Sequence, residues 1–202
     1  VIHKLIRPLR AAVLGSLESA YAAYRGIEVE KPIHFSRIGR ARVVRPGRII
    51  VAPMAWVQRD YQMQAEGIIE IGAHAHVGLG ARFHAMEGAR ITLEADCWLN
   101  HSVEISARLE VRVGRWSRVG PQVYMIDHDH EMRRDVRIVD QQYSMSPLVI
   151  GEDCWVGARA ILLKGSGIED GGVLAAGAVL TKHVPPGEIW AGVPARKIGE
   201  RR

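Results

Sequence analysis

The sequence predicts an all-β protein, a parallel β-helix of short strands wound into a triangular prism. Three observations carry this. Residues 150–185 divide into unbroken sixes, IGEDCW VGARAI LLKGSG IEDGGV LAAGAV LTKHVP. Each six opens on an aliphatic residue: Ile150, Val156, Leu162, Ile168, Leu174 and Leu180. The fifth position is mostly small: Cys154, Ala160, Ser166, Gly172 and Ala178, then Val184. An amphipathic helix would repeat every 3.6 residues and a simple strand every two. A period of six is a short strand and a corner, repeated. Three sixes close one coil, and stacked coils share one core.

The phrase recurs upstream: IGAHAHVG from Ile71, LEADCWLN from Leu93 and VGRWSRVG from Val113, before IGEDCWVG from Ile150. The starts are offset by 22, 20 and 37 residues, so the upstream coils are longer and one large insertion follows Val113. Glycine at the second position (Gly72, Gly114, Gly151, Gly157) is expected to supply special corner angles. Cys97 and Cys154 share the fifth position and read as small core residues.

In chain order, residues 1–26 read as an N-terminal helix. Ile2, Leu5, Ile6, Leu9, Val13, Leu17 and Tyr21 follow helical spacing, and Gly26 suits a C-terminal cap. This helix would pack on the coil stack. With His3, Lys4, Arg7 and Arg10 it also has the look of a basic membrane-surface helix. Residues 27–70 read as irregular first coils within a β-helix domain spanning 27–185. A protruding loop is expected over 131–147 and a short C-terminal tail over 186–202.

At 202 residues, 48% of them hydrophobic, the chain suits one domain with a substantial core. A net charge of +5 favours an anionic ligand or surface. Few aromatics, no zinc-finger spacing and no basic recognition helix speak against nucleic acid. No run of eighteen apolar residues predicts a membrane span, and AAVLGSLESA is too polar for a signal peptide. Two cysteines fit a cytoplasmic protein with reduced thiols.

The repeat register, with VLTKHVPPGEIWAGVPARKIG at 179–199, resembles the hexapeptide-repeat acyltransferases. It is most similar to the galactoside, maltose, nodulation-factor and polysaccharide O-acetyltransferases, over residues 70–199. The resemblance implies a left-handed β-helix, a homotrimer with sites at subunit interfaces, and acetyl-CoA as co-substrate along the outside of the coil. It further implies transfer of acetyl to a sugar or glycan hydroxyl, with a histidine base on the coil before the protruding loop. That coil ends in VYMIDHDHEM at 123–132. A gapless count of eighteen residues from Val113 lands on His130. His128 stays a candidate, because polysaccharide-type relatives show the same D-H-x-H arrangement. The same count puts the relatives' active-site asparagine on Asn100 and their substrate-binding aspartate on Arg108, a departure that argues against a galactoside-like acceptor. The CoA contacts carry over onto Ala158, Ala176, Thr181, Lys182 and Arg196. The small alanines would admit the pantetheine arm and the two cations would meet phosphates.

Histidine suits the base because its pKa lies near neutrality. No Gly-x-Ser-x-Gly elbow is present, so a direct transfer in a ternary complex is expected. Asp127 or Asp129 could orient an imidazole. Arg133, Arg134 and Arg137 in the loop could recognise an acidic acceptor. No metal is expected. The rival on the same fold is a γ-class carbonic anhydrase, for which His74, His76, His84, His101, His128 and His130 would supply ligands. A further alternative is an acetyltransferase acting on an antibiotic or other small hydroxyl acceptor.

Overall fold

The computed structural model describes residues 27–29, 34–35, 39–44 and 47–202. The helix expected over 1–26 lies outside them. The described chain is a β-solenoid with three parallel faces. The first face stacks eight strands, from Ile27–Val29 and Arg48–Val51 through Glu110–Val113 and Leu148–Ile150 to His183–Val184. The second runs from His34–Phe35 through Trp98–Leu99, Arg118–Val119 and Trp155–Val156 to Glu188–Ala191 and Arg196–Glu200. The third runs from Gly39–Val43 through Glu104–Ala107 and Tyr124–Ile126 to Val179–Leu180.

Each coil pairs with the next at the position the repeat assigns. Val51, Ile71, Leu93, Val113, Ile150 and Ile168 stack in one inward column on the first face. All are at most 1% exposed. Identical register between coils puts like side chains about 4.8 Å apart, so the core is a set of aliphatic ladders. Residues 47–71 join this register without irregularity. Their poor hexad match reflects longer strands: four or five residues on the first and third faces, against two downstream.

Two features of the repeat differ from expectation. Val184 pairs with Ile168 and so opens a coil instead of filling a small fifth position. The preceding coil is two residues short, which explains its size. The second-position glycines also serve another purpose. Left-handed backbone falls at the fourth position, on Asp153 (φ 52°), Arg159 (φ 60°), Gly165, Gly171 and Gly177. Gly114 and Gly157 are instead pressed against the backbone of the next coil, at Gly151 and Ala176, where a Cβ would collide.

The fifth-position column holds Cys97, Ser117 and Cys154 ahead of the second face. The Ser117 hydroxyl donates to the Gly151 carbonyl at 2.7 Å and accepts from the Cys154 N–H at 2.9 Å. Both cysteines are free and buried, and burial pushes the Cys97 thiol up to about 12. The C-terminal residues close the stack. Glu188–Ala191 pairs parallel with Val173–Leu174, and Arg196–Glu200 turns back antiparallel along it. Lys197 ties this hairpin through Glu188 at 2.8 Å and Glu200 at 2.6 Å. Among the described residues no helix is long and apolar enough to cross a membrane.

Among the described residues the one large departure from the solenoid is at 127–147. His128–His130 leaves the third face and pairs antiparallel with Tyr143–Met145, making a two-stranded ribbon. Its far end turns through a short 3-10 segment, Ile138–Asp140. Gln141 is the staple: its amide donates to the Arg133 and Val136 carbonyls and accepts from the Arg133 N–H.

Candidate active site

The ribbon is anchored at its base by one carboxylate. Asp127 is fully buried, and its oxygens accept from three successive backbone N–H groups, of Arg108 at 2.9 Å, Leu109 at 2.8 Å and Glu110 at 2.7 Å. These three residues form the corner of the preceding coil, between third and first faces, where outward N–H groups lack a ladder partner. The carboxylate supplies it, and charge-assisted bonds of this kind are the stronger class. The same carboxylate meets His128 Nδ1 at 2.9 Å.

That contact fixes the imidazole. A carboxylate can only accept, so Nδ1 carries the proton and donates. His128 is 7% exposed, and among the described residues Nε2 has no hydrogen-bond partner. The ring is therefore held in one tautomer with its basic nitrogen free, the arrangement in which a carboxylate orients a general base.

His130 sits differently. It is exposed on the ribbon, its ring centroid 4.4 Å from that of Tyr143. Tyr143 also meets His128 edge-on at 5.6 Å. On the ring of Tyr143 lies the Arg108 guanidinium, its carbon 3.5 Å from the centroid. Asp129, between the histidines, pairs with Lys164 at 3.3 Å, and Lys164 donates to Ser144 at 2.7 Å. The site is thus two imidazoles, a tyrosine, an arginine and a neutralised Asp129–Lys164 pair.

The other expected site residues fall on two ridges. Ala158 and Ala176 stack on the ridge between second and third faces, where the Gly177 N–H donates to the Ala158 carbonyl at 2.8 Å. Asn100 lies on the same ridge two coils upstream, exposed, its amide oxygen accepting from the His101 N–H at 2.8 Å. Lys182 lies on the ridge between third and first faces, two coils beyond Asp127, with Lys164 between them. Thr181 precedes it, exposed. Arg196 stands exposed on the closing hairpin, beside a turn whose Ala195 N–H reaches back to Val179. Within one chain, Asn100 is separated from His128 by the width of the third face, roughly 13 Å for a four-residue strand.

The remaining candidate metal ligands lie apart from this site and from one another. His76 is on the second face, its ring 3.7 Å from Trp98 in a parallel stack. His84 is on the third, 3.7 Å from Glu66. His74 and His101 are exposed at corners. Among the described residues no three His, Cys, Asp or Glu side chains form a metal-binding group.

Tyr143, and the stacking of Arg108 on it, were not legible in the sequence. The hexad period stops before the ribbon, and only antiparallel pairing of His130 with Tyr143 brings the tyrosine back.

Residues 147–182 match the family model described as the hexapeptide repeat of succinyl-transferase. The galactoside O-acetyltransferase of Escherichia coli K12 is 30% identical over 113 residues, covering 56% of this chain and 55% of that protein. The chain thus spans little more than half the length of that relative. A galactoside acetyltransferase solved in complex with coenzyme A superposes with TM-score 0.56 at 26% identity, over 62% of each chain. A hexapeptide-repeat acetyltransferase of Vibrio cholerae, solved with acetyl coenzyme A, gives TM-score 0.59 at 23% identity, over 65% of this chain and 70% of that one. The latter likeness establishes the fold.

Proposed function

We propose that this chain, a hexapeptide-repeat protein with the β-solenoid of the acetyltransferases, moves an acetyl group from acetyl-CoA to a hydroxyl of a sugar or glycan, with His128 as general base. The observation that carries the reading is the buried Asp127 carboxylate on His128 Nδ1, which leaves Nε2 free. The base takes the acceptor's hydroxyl proton as the oxygen attacks the thioester carbonyl. The carbon–sulfur bond then breaks, and the proton passes to the departing thiolate, giving acetylated acceptor and CoA. In this reading His130, two residues on and exposed, contacts acceptor instead. The known relatives support the reaction class, since the E. coli relative is a galactoside O-acetyltransferase.

In this reading Ala158 and Ala176 leave room for the pantetheine arm along their ridge, and Thr181, Lys182 and Arg196 meet the nucleotide end. Asn100 belongs to the site through a neighbouring copy. A homotrimer with cyclic symmetry would set the Asn100 ridge of one protomer against the His128 corner of the next.

The test is CoA release from acetyl-CoA with a panel of sugars, after chelator treatment, for wild type, His128→Ala and His130→Ala. His128→Ala is expected to lose about 10²–10⁴-fold in kcat with acetyl-CoA binding retained. His130→Ala should change KM for acceptor more than kcat. The reverse pattern would make His130 the base. Failure of wild type to bind acetyl-CoA would end the acetyltransferase reading.

A further inference from the structure

We propose that Arg108 makes the acceptor pocket an anion site, so that the preferred acceptor is a hydroxyl compound bearing a carboxylate or phosphate, such as a sugar acid or sugar phosphate. This rests on the acetyltransferase reading for its consequence in turnover, but the anion site itself stands on geometry. The Arg108 guanidinium carbon lies over Tyr143, 3.5 Å from the ring centroid, and that ring touches both His128 and His130. The cation is therefore one aromatic ring from the imidazoles, about the span of a pyranose.

Among the described residues no carboxylate meets the Arg108 guanidinium; in the ribbon the same holds for Arg134, which is exposed and makes no ring contact. Lys164 is paired with Asp129, and in the ribbon Arg137 is paired with Asp140. The nearest carboxylate in sequence contact, Asp127, is saturated by three N–H groups and His128 Nδ1, and it takes only the backbone N–H of Arg108. The Arg108 Nε is buried with no hydrogen-bond partner among the described residues. The terminal nitrogens of the guanidinium, which no side chain or carbonyl among the described residues engages, are the donors left for a ligand. Stacking on an aromatic face holds it in one orientation, which lowers the entropy lost when an oxyanion docks. Arginine forks match carboxylate and phosphate oxygens in pairs, giving specificity as well as attraction.

The experiment measures kcat/KM for galactose, galacturonate and galactose 6-phosphate, and glucose with its two counterparts, in wild type, Arg108→Gln and Arg108→Lys. Arg59→Gln, at an exposed corner of an upstream coil, controls for general attraction of anions. Calorimetric binding of each sugar to the CoA-loaded protein is measured alongside. Wild type should favour one anionic acceptor by about tenfold or more through KM. Arg108→Gln should lower kcat/KM for the anionic acceptor about tenfold more than for its neutral counterpart, and Arg108→Lys should restore part of that difference. Galacturonate and galactose 6-phosphate decide between carboxylate and phosphate. Equal turnover of neutral and anionic sugars, or an equal loss for both in Arg108→Gln, would overturn the proposal and leave the acetyltransferase reading intact. Anion binding that depends on Arg108 without turnover of any sugar would sustain the anion site and count against sugar acetylation. Anion binding lost equally in Arg59→Gln would reduce the effect to net charge and overturn it.

Discussion

The third face has two halves that share a core and differ outside. Upstream of the ribbon its outward positions are Gln62 and Gln64, Arg82 and His84, Glu104 and Ser106. Downstream they are Tyr124 and Ile126, Ile161 and Leu163, then Val179 and Thr181. The polar half forms a groove of about 370 Å³ bridged by Arg82–Glu104 at 2.6 Å. The inward column runs unbroken through both, from Met63 and Phe83 to Met125, Leu162 and Leu180. Both halves share the inward column, so their outward side chains can differ without breaking the core. The polarity changes at the coil that gives rise to Asp127 and His128. The candidate site stands at the boundary between the polar surface and the apolar one.

The largest effects should come where the halves are alike. Phe83→Ala upstream is expected to cost about 3–5 kcal/mol and Leu162→Ala downstream about 2–5 kcal/mol, read as urea midpoints. A much smaller cost in one half would show that the inward column is not one continuous core. Next comes the boundary itself. Asp127→Ala leaves three part-buried N–H groups without their acceptor and frees the imidazole, so about 2 kcal/mol of stability and most activity should go together. A melting temperature unchanged from wild type would mean that water replaces the carboxylate.

The contrast between the surfaces is tested by smaller changes. Ile161→Glu places a charge on the apolar half and should weaken acetyl-CoA binding or association of copies by about tenfold, seen by calorimetry and sedimentation. Gln62→Ala on the polar half should stay within about 0.5 kcal/mol in stability and leave both measurements alone. Equal effects would remove the functional meaning of the division. The smallest effect belongs to His76. Burial lowers its pKa below the usual histidine value. The unfolded chain therefore takes up a proton at a higher pH than the folded one. Its contribution to stability is complete above about pH 6.5 and declines as pH falls below that value. Urea midpoints between about pH 7 and pH 5 should fall less steeply in His76→Gln than in wild type.

Much of the fold was legible because the repeat is a local rule. Ile150, Val156 and Leu162 face inward because each opens a six, and each is fully buried. The rule misplaced Val184, because nothing in the sequence marks a coil shortened by two residues. It also assigned glycine to corner angles, when the closeness of the next coil is what excludes a Cβ. The candidate site was legible only as a stretch. Counting from Val113 reached His130, while the tautomer-fixing contact belongs to His128.

By itself the sequence determined the solenoid, the stacking of its ladders, the place where a loop leaves it and the residue types of the site. These follow from side-chain period and size, which act between neighbours along the chain and one coil apart. The tertiary structure decided which imidazole meets Asp127, that Tyr143 returns to it, and that Arg108 is left with an unspent charge. Tyr143 reaches the imidazoles and Arg108 from 13 to 35 residues away, through an antiparallel ribbon. A six-residue period carries no information about how such a ribbon folds back, because its pairing depends on geometry that forms only once the coils beneath it are stacked.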